Sequence, residues 1–313
     1  APSGIRRFKA MRIGACARFL SVFVYTVCCL FLIAFVFPRS TDEKKGRIIR
    51  RWAGKLPRWL GIRVEVEGRI AEEAVHDCGI TPGAMGRLVV SNHVSFLDIF
   101  SLDSVVPSAF VAKAEIAKWP VFGGIAKAVN TIFIERGNRK ALLGIGSNMQ
   151  KALEEGKTLL MFPEGTTSDG TGLLKLHANL FDAAAKTGAE VIPVVLRYKS
   201  RGEITTAPAY VGKVGLFECL WKVVNTPDLT ILIKIGEPIR PMAGEDRHSL
   251  CRRASAVMSA AIGVADPLAV KAEAAVSVFV QLHKGERRGY FGILKNTAGI
   301  DSGGSHIGDQ ELP

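Results

Sequence analysis

A histidine and an aspartate stand five residues apart in Asn92-His93-Val94-Ser95-Phe96-Leu97-Asp98, directly after the apolar run Leu88–Ser91. Polar, titratable side chains just past the carboxyl end of a strand are where α/β sheets place their sites. On one regular helix the two would point about 140° apart and could not touch. With His93 in the strand-to-helix turn and Asp98 one turn into the helix, the carboxylate reaches back to the imidazole. It then fixes the tautomer and raises the basicity of the free nitrogen, which makes His93 a general base. No serine elbow or catalytic cysteine motif lies nearby, so the base would activate a substrate hydroxyl rather than a protein nucleophile. A capping histidine beside a surface aspartate is the competing reading of the same spacing.

Two further clusters follow apolar runs. Phe133-Ile134-Glu135-Arg136, continued by Arg139 and Lys140, offers a guanidinium fork at a strand end, which suits a phosphate; a solvated loop charge would look the same. Phe162-Pro163-Glu164-Gly165-Thr166-Thr167-Ser168-Asp169-Gly170 combines glycines with three hydroxyls. Its donors suit an anion, and Glu164 suits orienting Arg136 or a substrate hydroxyl, though many surface turns share this composition.

The elements that must position these residues alternate. Strands are expected at Ile62–Val66, Leu88–Ser91, Ala109–Lys113, Thr131–Ile134, Thr158–Phe162, Glu190–Leu196 and Leu229–Ile235. Helices are expected at Phe96–Ser104, Trp119–Val129, Arg139–Glu154, Leu173–Thr187 and Glu245–Ile262. This order predicts an α/β fold: a mostly parallel or mixed central sheet flanked by helices.

The 313 residues, 48% apolar and 22% charged, exclude a mainly disordered chain. The net charge of +12 is local: residues 1–58 hold 13 Lys+Arg against Asp42 and Glu43, and the remainder holds 28 against 27 acids. The same segment carries the longest apolar run, Phe19 to Phe37, which as a helix reaches about 28 Å, enough to cross a bilayer core. Basic clusters on both sides of such a run are what anionic lipid attracts, and the run is too long for a signal peptide. An N-terminal membrane-anchoring helix is therefore expected, either spanning or lying in one leaflet. The heavier charge after the run favours a cytoplasmic body. Ile48, Ile49, Trp52 and Leu56 recur at helical spacing, as an interfacial or docking helix stopped by Pro57. The division expected is 1–58 anchor and amphipathic helix, 59–285 catalytic domain, and 286–313 disordered tail. Six cysteines without CxxC or metal-like spacing suggest a reduced compartment and no metal site.

NHVSFLD, FIER, FPEGTTSDG and VIPV, in that order between Ile62 and Tyr198, resemble the four blocks of the glycerolipid acyltransferase family. They are closest in pattern to the 1-acylglycerol-3-phosphate and related lysophospholipid acyltransferases. The resemblance implies His93 as general base with Asp98 as its partner, and Arg136, Glu164 and Gly165, with Thr166 and Thr167, toward the acceptor's phosphate. The block around Pro193 is linked to substrate binding and packing. The implied reaction moves an acyl group from a thioester to a lysophospholipid hydroxyl, with acyl-CoA or acyl carrier protein as co-substrate and no cofactor. Backbone N–H groups near Gly165 or in the His93 turn are candidates for the oxyanion. Membrane lipids are expected partners and nucleic acid is not. Two departures bear on the head group: Thr167 stands where many members have arginine, as in versions using lyso-ornithine lipid, and His177 stands where many have lysine. A non-catalytic basic membrane-binding protein and a lipid hydrolase or transacylase of the same architecture are the alternatives.

Overall fold

A computed structural model describes residues 2–68, 83–119, 122–129, 131–134 and 139–269. The N-terminal helix α1 (Pro2–Phe31) starts well before the apolar run. It continues as a π turn over Leu32–Val36 and a 3-10 turn over Phe37–Arg39, where Pro38 cannot extend an α-helix. Thr41 accepts from Lys44 N and caps α2 (Asp42–Ala53). The break comes at Gly54 rather than at Pro57, because Pro57 lies in the first turn of α3 (Lys55–Trp59), where its missing N–H costs nothing.

The body then runs β1 (Arg63–Glu67), β2 (Arg87–Ser91), α4 (Leu97–Val105), β3 (Ala109–Lys113), α5 (Phe122–Ala128), β4 (Ile132–Ile134), α6 (Arg139–Glu154), β5 (Thr158–Met161), α7 (Asp182–Thr187), β6 (Glu190–Ser200), β7 (Glu203–Ile204), α8 (Leu216–Asn225), β8 (Leu229–Ile235) and α9 (Arg247–Ile262). The sheet order is β1-β8-β6-β2-β5-β3-β4, with β7 paired to β6. Neighbours from β6 to β4 are parallel; β8 meets β6 antiparallel and carries β1 parallel to itself. The sheet is thus mixed. The segments 69–82 and 135–138 lie outside the described residues, as does the expected tail 286–313.

Side chains alternate across the sheet. Leu88, Val90, Leu159, Met161, Val191 and Val195 enter one core with Met149 and Leu153 of α6, Ala183 and Ala184 of α7, and Leu250, Ala254 and Met258 of α9. Val89, Leu160, Ile192, Val194 and Leu196 enter the other with Leu56, Leu97, Leu102, Leu220 and Val223. The N-terminal segment belongs to this second layer: Tyr25 of α1 is buried against Trp52, Trp59 and Phe100 and donates to Trp52 O at 3.1 Å. Arg18 Nη1 donates to Val224 O at 2.8 Å, tying α1 to α8.

Two expected helices are altered. Of Trp119–Val129, α5 (Phe122–Ala128) is helical, and a 3-10 segment over Ala114–Lys118 precedes it. Leu173–Thr187 is helical only from Ala178, because Leu174 N and His177 N are drawn off to Glu164 Oε1 and Pro163 O, both at distances under 3 Å (2.8 and 2.9 Å). The helix α8 was not expected at all. Pro193 sits inside a central strand; its carbonyl accepts from Gly236 N at 2.8 Å, on the side where β8 has already ended, so its missing N–H breaks no ladder bond.

Candidate active site

The strand β2 ends at Ser91, and Asn92 continues its pairing by other means. Asn92 Nδ2 donates to Leu196 O at 3.0 Å and Asn92 Oδ1 accepts from Leu196 N at 2.7 Å, so one side chain imitates a ladder pair and holds the strand end to β6. His93 follows in the turn, and Asp98 lies in the first turn of α4. Their contact is as expected: His93 Nδ1 and Asp98 Oδ2 are 2.8 Å apart.

Asp98 is fully buried and saturated with donors. Its Oδ2 also accepts from Val94 N at 2.6 Å and Ser95 N at 2.9 Å, which is how the chain turns from strand to helix. Its Oδ1 accepts from Tyr198 Oη at 2.5 Å. Burial, and then the Asp98 charge, push the Tyr198 hydroxyl well above the usual phenol range, so it stays a donor. With an acceptor at Nδ1, the imidazole hydrogen resides there and Nε2 keeps its lone pair. The His93 side chain is 20% exposed, stacked on Phe162 with centroids 4.0 Å apart and planes 12° apart. Nε2 has no hydrogen-bond partner among the described residues. It is a ring nitrogen held open.

Glu164 is held by two backbone amides. It is 3% exposed, and its two oxygens accept from His93 N and Leu174 N, each at 2.8 Å. Burial pushes its carboxyl up, against the pull of these two amides. Glu164 therefore joins the His93 turn to the segment after Gly170. Pro163 and Glu164 are the central residues of a β-turn closed by Gly165 N to Phe162 O at 3.0 Å, with Gly165 at φ 69°. Ser168 N donates to His93 O at 2.7 Å, and Gly170 (φ 80°) lies where an added Cβ would meet Val94 Cγ2 at 3.0 Å. The two loops are thus one interlocked unit.

That interlock changes the list of anion donors. The amides of His93, Val94, Ser95 and Gly165 are all engaged within the protein, so the expected oxyanion donors are not open in this conformation. Thr167 donates its hydroxyl to Tyr210 O. Thr166 is exposed beside it. His177 is exposed at the residue preceding a 3-10 turn. Arg136 lies outside the described residues. Tyr198 and Asn92 are the residues that sequence reasoning missed. Tyr198 closes the fourth apolar block one hundred positions from Asp98, and only an aromatic hydroxyl in an otherwise aliphatic run signalled it.

Comparison with known proteins now adds weight to this geometry. The acyltransferase family profile matches residues 64–197. The chain is 38% identical over 214 residues to the 1-acyl-sn-glycerol-3-phosphate acyltransferase of Neisseria gonorrhoeae, covering 66% of this chain and 83% of that one. It is 33% identical to the lyso-ornithine lipid O-acyltransferase of Pseudomonas aeruginosa, over 71% and 81% of the two chains. The crystal structure of the 1-acyl-sn-glycerophosphate acyltransferase PlsC from Thermotoga maritima superposes with a TM-score of 0.60 at 25% identity, covering 82% of this chain and 96% of that one. A profile that begins in β1 and ends on β6, and identity sustained across most of a relative's length, leave no room for a non-catalytic basic protein: the chain belongs to the acyltransferase family and is an O-acyltransferase.

Proposed function

We propose that this enzyme moves a fatty acyl group from an acyl thioester, acyl-CoA or acyl carrier protein, to the free hydroxyl of 1-acylglycerol-3-phosphate, with His93 as the general base. The observation that carries the reading is the His93–Asp98 contact at 2.8 Å with Nε2 left open beside Phe162. Nε2 takes the hydroxyl proton as the oxygen attacks the thioester carbonyl. The tetrahedral intermediate then collapses, and the imidazolium returns the proton to the departing thiolate. Asp98 stays ionised throughout and steadies the transient cation.

Membrane association is part of the proposal. The stretch Ala17–Arg39 has a mean hydropathy of 2.7 and only 6% of its most apolar window is buried, so a helix long and apolar enough to cross a membrane presents most of its side chains outward. Its lipid partners would hold the catalytic domain on the cytoplasmic face. Arg136, with Glu164, Gly165, Thr166 and Thr167 of the next block, is the proposed region for the acceptor's phosphate. A second acceptor, lyso-ornithine lipid, is favoured by Thr167 standing at the family's arginine position and by the Pseudomonas relative's name.

The test is a purified-enzyme assay with labelled acyl thioester and a panel of lysolipids. His93→Ala should lose at least about a hundredfold in rate, the lower range for general-base catalysis, while its membrane association is unchanged. A variant that keeps more than about a tenth of the wild-type rate removes His93 from the role. Fatty acid released without any acceptor would instead indicate a hydrolase.

A further inference from the structure

We infer that α8 is a second membrane-contacting element, which inserts Phe217 and Trp221 into the same lipid surface that receives α1; the inference rests on the membrane association proposed above. The apolar stripe of this helix is wider than the part of it that packs on the body, with Glu218, Lys222 and Asn225 alone on the polar side. Cys219, Leu220, Val223 and Val224 are buried in the core. At the margin of that same stripe Leu216, Phe217 and Trp221 are exposed, Phe217 by 72% and Trp221 by 47%. Two large aromatics one helical turn apart, left in water, are an interaction surface rather than a packing surplus.

Continuity identifies the occupant. Phe19 of α1 lies with its ring centroid 5.2 Å from Phe217 and 5.7 Å from Trp221. Immediately along α1, Leu20, Phe23, Val24, Val27, Leu30 and Phe31 are also exposed. The α8 aromatics therefore extend the outward face of the anchor rather than forming a separate patch. The neighbouring charges fit a headgroup region: Lys213 is exposed at the approach to α8, and Glu218 is neutralised by Lys222 at 2.8 Å. Tryptophan is the residue that favours this depth, with an apolar body and a polar N–H.

The position also explains what α8 does for the reaction. The strap between β7 and α8 touches the catalytic turn directly, through Tyr210 N to Val94 O at 2.8 Å and the Thr167 hydroxyl to Tyr210 O. Cys219 Sγ donates to Pro208 O at 3.3 Å and locks α8 to that strap. A bilayer resting on Phe217 and Trp221 lies within about one helix diameter, roughly 10 Å, of the strap that α8 holds against the site. A lysolipid then reaches His93 without leaving the interface.

The experiment uses the full chain and vesicles of phosphatidylcholine and phosphatidylglycerol, with bromine-labelled acyl chains as a contact quencher of tryptophan fluorescence. Of the four tryptophans, Trp221 should account for a distinct share, so Trp221→Phe should bind vesicles as wild type does while losing that quenched component. The pair Phe217→Ser and Trp221→Ser should weaken vesicle partitioning about tenfold or more, given the apolar area withdrawn. Its rate on a water-soluble short-chain lysolipid should be unchanged. Vesicle binding with identical quenching in wild type and Trp221→Phe overturns the role of α8 and leaves the α1 reading standing. Absence of vesicle binding by the wild-type chain overturns both. If the serine pair instead converts a dimer to a monomer in sedimentation, the face belongs to a second copy and the inference fails.

Discussion

Tyr198 holds the far oxygen of Asp98, at 2.5 Å, from a strand one hundred residues away, while His93 holds the near one. The carboxylate is therefore shared between a permanent donor and a working one. Removing the permanent donor leaves Asp98 Oδ1 buried without that partner and the carboxylate less firmly set against the ring. Tyr198→Phe should lower kcat about tenfold, the value of a hydrogen bond to a charged group, with KM little changed. A variant that merely loosened the core would lower thermal stability and leave kcat as it was.

Asp98→Asn tests the charge with the shape retained. An asparagine can set its carbonyl oxygen where Oδ2 accepts from Val94 N and Ser95 N, and its amide toward Tyr198, whose hydroxyl can turn to accept. The turn should survive, and circular dichroism should read as wild type. Turnover should fall by about 10²–10⁴, because the ring loses the anion that makes it a base.

Glu164→Gln should cost stability before it costs chemistry. Glutamine offers one acceptor where glutamate offers two, so either His93 N or Leu174 N is left facing an amide. A buried donor without a partner costs about 1–3 kcal/mol, visible as a lowered melting temperature. The rate should fall as well, since the His93 backbone is one of the two groups released.

Gly170→Ala should be damaging twice over. The residue sits at φ 80°, and the new methyl would stand 3.0 Å from Val94 Cγ2. We expect a loss of about 1–3 kcal/mol by thermal unfolding, from backbone strain with the clash added. Val94→Ala in the same chain should restore only part of it, because it relieves the contact and leaves the dihedral.

Glu190 supplies a pH dependence away from the site. Burial would raise its carboxyl, but hydrogen bonds from Arg240 at 2.7 Å and Arg87 at 3.1 Å outweigh that and hold it below the usual range. A carboxylate held low stabilises the fold above the unfolded value, about 4.3, and loses that contribution as pH falls through its folded value. Glu190→Gln should therefore be less stable than wild type at neutral pH, and the gap should close in acid. Denaturant unfolding at several pH values measures it.

The parts of the molecule legible in the sequence were those where one local signal dominated. Ala109–Lys113 and Leu229–Ile235 fall where apolar runs placed them, and the His93–Asp98 contact followed from a strand end and a spacing. What escaped had competing or distant causes. In α8 the polar side amounts to Glu218, Lys222 and Asn225 within ten residues, too short a pattern to stand out in an apolar run. The polar end of β6, Arg197–Ser200, is strand only because β8 pairs with it antiparallel. The expected helix from Leu173 lost its first turns to Glu164 and Pro163, acceptors about ten residues upstream. The site was visible as a base and its partner. The third member, Tyr198, required knowing that β6 lies beside β2.

The pairing of β1 has a consequence for the order of events during synthesis. Among the strands of the sheet β1 touches only β8, with Arg63 opposite Thr230. Until the ribosome has released the chain past Ile235, β1 has no partner, whereas α1 left the exit tunnel long before. Contacts between such distant segments form late, after the entropy of closing the intervening chain has been overcome. The apolar helix is thus exposed while the sheet is still open at its edge, and under the proposed membrane association its capture by lipid would precede completion of the fold.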